Sequence, residues 1–164
     1  MRTLRVVCAI GFLAGAALTG ACAADQPDAA EESGAATCHD PESLPTTAQQ
    51  VEVTLNEWSV SLSRASVPAG TVNLVAHNKG TMIHEMIVLR ADSVDQLPHN
   101  ADGSINEDVV SMADTVGEIA EFEQGATCGR SFELAAGSYI VFCNIAMGDV
   151  VHAKRGMVSQ LTVV

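Results

Sequence analysis

Apolar and polar residues begin to alternate at residue 51. Val51, Val53 and Leu55 are interleaved with Glu52 and Thr54, and residues 59–63 continue in the same style. Successive side chains of a strand point to opposite faces, so alternation of this kind predicts half-buried strands. Pro68-Ala69-Gly70 is a turn signal, and 71–78 is the next strand, closed by Lys79-Gly80. Further strands are expected over 83–90, 117–122, 130–134, 138–143 and 158–164. Ile105, Val109 and Met112 fall at helical spacing and predict one short helix over 105–113. About seven short strands separated by turn signals predict an all-β domain, a Greek-key sandwich with that one helix in the middle. A single Trp (Trp58) and a single Tyr (Tyr139) leave its core largely aliphatic.

The first 46 residues do not share this pattern. Arg2 and Arg5 precede an apolar run from Val6 to about Leu18, followed by Thr19-Gly20-Ala21-Cys22. A basic start, a short apolar stretch and small residues predict a secretory signal over 1–22, too short for a stable span. Thr-Gly-Ala-Cys resembles a bacterial lipobox, which would leave Cys22 lipidated. Ala21-Cys22-Ala23 equally fits ordinary cleavage. Either route places the mature chain outside the cytoplasm, as an anchored lipoprotein or as a secreted or periplasmic protein. Residues 23–46 are rich in Ala, Glu, Asp, Ser, Thr and Pro and are expected to be a solvated linker, with His39 a solvated loop residue. The folded domain is then expected over 47–164.

Composition excludes some partners. Cleavage removes Arg2 and Arg5 but no acid, taking the net charge from −12 to about −14. Such a chain is not expected to bind nucleic acid, and a lipid anchor is its expected tie to a membrane. No Gly-rich phosphate loop, Gly-x-Ser-x-Gly elbow or His-Glu-x-x-His run is present. Three cysteines outlast the signal: Cys38, Cys128 and Cys143. Cysteines outside the cytoplasm tend to pair, and the odd one needs a role. A Cys38–Cys128 disulfide with Cys143 kept as a thiolate accounts for all three; a different pairing, such as Cys128–Cys143, is the alternative.

That thiolate has company. Cys143, His152 and Met157 lie in one run near the C-terminus, and His84 lies upstream in Thr81-Met82-Ile83-His84-Glu85. Two imidazoles, one thiolate and one thioether are the ligands of a blue-copper electron-transfer site. Such a set tolerates both Cu(II) and Cu(I), and the soft thiolate retains the reduced ion. Met147 is a second thioether in the same loop and ranks below Met157 as an axial ligand. Asn144, next to the thiolate, is placed to hydrogen-bond the sulfur or brace the His84 loop. His77 and His99 have no such neighbours and are expected at the surface, as is the Lys154-Arg155 pair.

In this order, on this strand pattern, residues 51–164 resemble the cupredoxins, of the plastocyanin and azurin kind. Pro68-Ala69-Gly70-Thr71, His84-Glu85 and Ala136-Gly137-Ser138-Tyr139 sit where that family carries similar turns and strand starts. The resemblance implies one type 1 copper ion held by His84, Cys143, His152 and Met157. It implies a monomer that carries single electrons to or from a redox protein, a cytochrome or a copper enzyme, and performs no catalysis of its own. The same ligands would also serve copper storage or delivery, and without copper the domain would be an interaction module. One departure concerns geometry. Eight residues separate Cys143 from His152, longer than the family's usual loop, and Gly148 is expected to turn the excess. The four residues between His152 and Met157 match the family.

Overall fold

The computed structural model describes residues 38–164. The expected signal, Cys22 and the first part of the expected linker lie outside the described residues.

Eleven strands follow in chain order. They are β1 (Gln49–Asn56), β2 (Ser59–Leu62), β3 (Ser66–Val67), β4 (Gly70–Asn78), β5 (His84–Arg90) and β6 (Thr115–Phe122). Then come β7 (Thr127–Leu134), β8 (Gly137–Phe142), β9 (Ala146–Met147), β10 (Val150–Val151) and β11 (Val158–Val163). One sheet has the order β2-β1-β4-β7; the other has β3-β11-β8-β5-β6. Two pairings, β1 with β4 and β3 with β11, are parallel, and the others in these sheets are antiparallel. This is the all-β sandwich that the alternation predicts.

The alternation also selects the core. Val51, Val53 and Leu55 of β1 are fully buried, and they meet Met86 and Val88 of β5, Tyr139 and Val141 of β8, and Leu161 of β11 in one cluster. Hydrophobic burial of these two inner faces is the main force joining the sheets. The outer face of the larger sheet has its own cover. Ile87, Leu89, Ile140 and Phe142 pack with Leu97 and Ile105 from the long β5–β6 connection. Strands buried on both faces read as continuous apolar runs, which is why 86–89 and 140–142 do not alternate.

The short helix expected over 105–113 does not form. Only a three-residue 3-10 turn occurs there, at Glu107–Val109. Ile105 is buried, but Val109 is 63% exposed and Met112 94% exposed, so the spacing marks no common face. Ser111 and Asp114 bond to one another and to local backbone instead, the competition that disfavours Ser and Asp within helices. The described helix, α1, is a single turn at His152–Arg155. It is too short for periodicity to reveal.

Cys38 and Cys128 form a disulfide. Residues 38–46, which the sequence groups with the linker, fold against β7. His39 and Gly129 exchange backbone hydrogen bonds of 3.2 and 2.8 Å. Gly129 leaves room for Leu44, whose Cδ1 would lie 2.7 Å from a Cβ at that position. Asn73 donates to the Pro45 carbonyl at 2.9 Å. Among the described residues, no helix is long and apolar enough to cross a membrane.

Candidate metal centre

Three chain segments meet at one end of the larger sheet. His84 opens β5, opposite Phe122 of β6. Cys143 follows β8, and its N–H donates to the Met157 carbonyl at 3.1 Å. His152 opens α1. The eight residues between Cys143 and His152 fold into a closed ribbon. Met147 pairs with Val150 and Ala146 with Val151, Gly148 takes φ 59° at the turn, and the His152 N–H donates to the Ile145 carbonyl at 2.9 Å. The excess length therefore leaves and returns at one point, and His152 is delivered beside Cys143. Gly156 ends α1 with φ 115°, a conformation that favours glycine, and Met157 follows it into the core.

His84, Cys143 and His152 are brought together and are fully buried. His84 Nδ1 and His152 Nδ1 are 3.2 Å apart. Cys143 Sγ lies 3.3 Å from His152 Nδ1 and 3.8 Å from His84 Nδ1. A point equidistant from the three lies about 2 Å from each, close to the usual length of a metal–imidazole bond. Two imidazole nitrogens and a thiol sulfur converging at these distances can share protons among themselves and also suit one shared cation. Met157 is buried in the same cluster as Cys143, whereas Met147 is 45% exposed on the ribbon.

The surroundings fix these side chains. Cys143 Sγ accepts the Glu85 N–H at 3.5 Å. The Asn144 backbone N–H reaches the Glu85 carboxylate at 2.8 Å, which ties the strand beginning at His84 to the end of β8. The Asn144 side chain turns away from the sulfur. It pairs with the N–H and carbonyl of Ile105, each at 2.8 Å, and with Glu107. The 3-10 turn of the long connection is thus stapled to the metal end.

Sequence reasoning missed two residues of the site. Glu57 and Trp58 form the tight connection between β1 and β2. Glu57 Oε1 lies 3.2 Å from His84 Nε2. Trp58 packs edge-on against His152 with ring centroids 5.2 Å apart, and Arg155 lies over the Trp58 ring. Nothing in local sequence marks a hairpin turn as the roof of a site built 27 residues and more downstream.

Burial governs the titration here. It pushes the Cys143 thiol up to about 12, against the pull of the Glu85 and Ile145 N–H groups on its sulfur. It lowers His84, with the Glu57 carboxylate offsetting part of that effect, and it lowers His152, assisted by repulsion from His84. Burial raises Glu85 to about 7 despite the Asn144 N–H. Burial would raise Glu57 too, but the Thr81 and Met82 N–H groups and nearby His84 hold it below the ordinary carboxylate range.

The other candidates lie apart from this cluster. His77, expected at the surface, is half-buried on β4, with Nε2 2.6 Å from Glu52 and Nδ1 3.1 Å from Thr127. His99 is exposed. Lys154 and Arg155 are exposed on α1, as expected.

No protein-family model matches the chain, and no curated protein matches it. Solved structures do. Auracyanin B is 23% identical over 71% of this chain and 89% of its own, with a TM-score of 0.51. Auracyanin A, a "blue" copper protein from the green thermophilic photosynthetic bacterium Chloroflexus aurantiacus, is 18% identical over 70% and 98%, with a TM-score of 0.51. Reduced rusticyanin is 15% identical over 74% and 82%, with a TM-score of 0.50. With these neighbours, a sandwich of this topology and a His-Cys-His cluster at its end, the described domain has the cupredoxin fold.

Proposed function

We propose that this chain is an extracytoplasmic type 1 copper protein that carries single electrons between redox proteins, with His84, Cys143, His152 and Met157 as its ligands. The observation that carries the proposal is the buried triangle of His84 Nδ1, Cys143 Sγ and His152 Nδ1. Two imidazoles and a thiolate in one plane, with a thioether to one side, are the donors of a blue-copper centre. Copper at that point supplies a one-electron couple. The chain's own part is to hold the donors still. β5, β8 and the helical turn fix each backbone, and the Glu85 N–H supports the sulfur, so little has to move when charge changes. Full burial of the three donors favours retention of the ion over delivery to another protein. The signal, the lipid anchor on Cys22 and a tether that ends where Cys38 is bridged to β7 belong to the same proposal, since a redox carrier outside the cell gains from being held at the membrane.

The direct test is to add one equivalent of Cu(II) to protein lacking the first 23 residues and record visible and EPR spectra. An intense thiolate-to-copper band with a narrow copper hyperfine splitting is expected. Weak d–d absorption alone would overturn the proposal.

Proton release gives a second expected result. Near pH 8 the metal-free site holds a protonated thiol, raised by burial, and two neutral imidazoles, lowered by burial. Only the thiol must lose a proton to bind a metal, so uptake of one copper is expected to release one proton, and apparent affinity is expected to rise about tenfold per pH unit in this range. An indicator dye in weak buffer, with copper delivered from a complex of known protonation, measures this. No proton release would exclude Cys143 as a ligand.

A further inference from the structure

The two imidazoles of the site are supported in opposite ways. His152 Nε2 is buried without a hydrogen-bond partner among the described residues, and Trp58 covers the ring. His84 Nε2 instead faces Glu57 Oε1 at 3.2 Å. The same oxygen accepts the Thr81 and Met82 N–H groups at 2.8 and 2.9 Å. Gly80 closes over the pair: a Cβ there would overlap Glu57 Oε1 and come within 2.7 Å of His84 Nε2. The Glu57 side chain is 20% exposed, so bulk water screens its charge only in part.

We infer that Glu57 is a positioning residue for the metal centre, fixing His84 as the Nε2–H tautomer and biasing the centre toward its oxidised state. An ionised carboxylate accepts hydrogen bonds and cannot donate, so the ring nitrogen facing it must carry the proton. That leaves the Nδ1 lone pair of His84 directed at Cys143 and His152 before any metal arrives. A carboxylate behind an imidazole also makes the ring a stronger donor. Its negative charge favours the more positive of two metal states, Cu(II) over Cu(I). The Thr81 and Met82 bonds hold the carboxylate in place while they tie the loop before His84 to the β1–β2 turn. This inference rests on the copper reading above.

The three hydrogen bonds converge on one oxygen, which provides a clean variant. Glu57→Gln keeps an Oε1 acceptor for all three donors and removes the charge. In the copper-loaded variant the visible band should persist, and the Cu(I):Cu(II) ratio at a fixed applied potential should rise about tenfold, a shift of about 59 mV for one electron. Glu57→Ala removes the acceptor, and copper affinity should fall roughly 10- to 100-fold. Long-range 1H–15N NMR of the metal-free proteins reads the tautomer directly. His84 should be Nε2–H in the wild type and in Glu57→Gln, and a mixture of tautomers in Glu57→Ala. An unchanged potential in Glu57→Gln, or a single Nε2–H tautomer in Glu57→Ala, would overturn the inference. Failure of the wild type to bind copper would overturn the copper reading and with it the bias toward the oxidised state, while the metal-free NMR would still decide whether Glu57 sets the tautomer.

Discussion

Cys143→Ser protein, given one equivalent of Cu(II), is expected to lose the intense visible band completely and with it reversible one-electron behaviour. The band of a blue-copper site arises from thiolate-to-copper charge transfer, and a serine hydroxyl is neither ionised nor soft. The loss of Cu(I) affinity should exceed the roughly 10- to 100-fold expected when an outer partner of a ligand is removed. The fold should survive. Serine is close to cysteine in size, and the Glu85 and Ile145 N–H groups that reach the sulfur remain available to an oxygen. Placing a hydroxyl at this buried position should cost no more than about 1–3 kcal/mol in the metal-free protein. Thermal unfolding of the metal-free variant separates that effect from loss of the ligand. A blue, redox-active Cys143→Ser protein would remove Cys143 from the site. The triangle would then need another explanation, because no other free cysteine occurs among the described residues.

The proposed donors are legible in sequence, and the reason is chemical. Cys, His and Met are scarce, their order carries information, and His84, Cys143 and Met157 each lie beside a strand that alternation or an apolar run reveals, while His152 is marked by its place between Cys143 and Met157. The strands around them are legible for the same cause: Val51, Val53 and Leu55 report their face through period two alone. Support of the site is not legible. Glu57 and Trp58 reach His84 and His152 only because the β1–β2 turn folds over the metal end, and local sequence carries no trace of that approach. Asn144 is recognisable as important by adjacency to Cys143, but whether its amide meets the sulfur or Ile105 depends on where the long β5–β6 connection lies. The expected helix at 105–113 fails for a related reason. Three apolar residues at helical spacing imply a buried stripe only if a surface exists to bury it, and here only Ile105 has one.

The second large effect is expected from the disulfide. Replacing both Cys38 and Cys128 with Ala should lower stability by about 2–5 kcal/mol, a large share of what a domain of this size ordinarily possesses. The bridged residues are 90 apart in sequence, and closing so long a loop restricts the unfolded chain strongly. The His39–Gly129 backbone pair, the packing of Leu44 on Gly129 and the Asn73 bond to Pro45 also tie the N-terminal end of the described chain. Cys128 is also buried opposite Ala76 on β4, so its truncation leaves a small void in the core. The measurement is the unfolding free energy of the metal-free double variant against the wild type from denaturant titrations, with the slope of each fitted separately because the unbridged chain unfolds to a more open state. The copper spectrum of the folded variant should be unchanged, because Cys143 takes no part in the bridge. A loss of less than about 1 kcal/mol would mean that residues 38–46 are held by their backbone bonds and that the unfolded chain was already compact. A lost copper spectrum in the folded variant would mean that the bridge reaches the metal end through the start of β7, along the hydrogen bonds from Ala126 to Asn78 and from Asn78 to the 80–82 loop that meets Glu57.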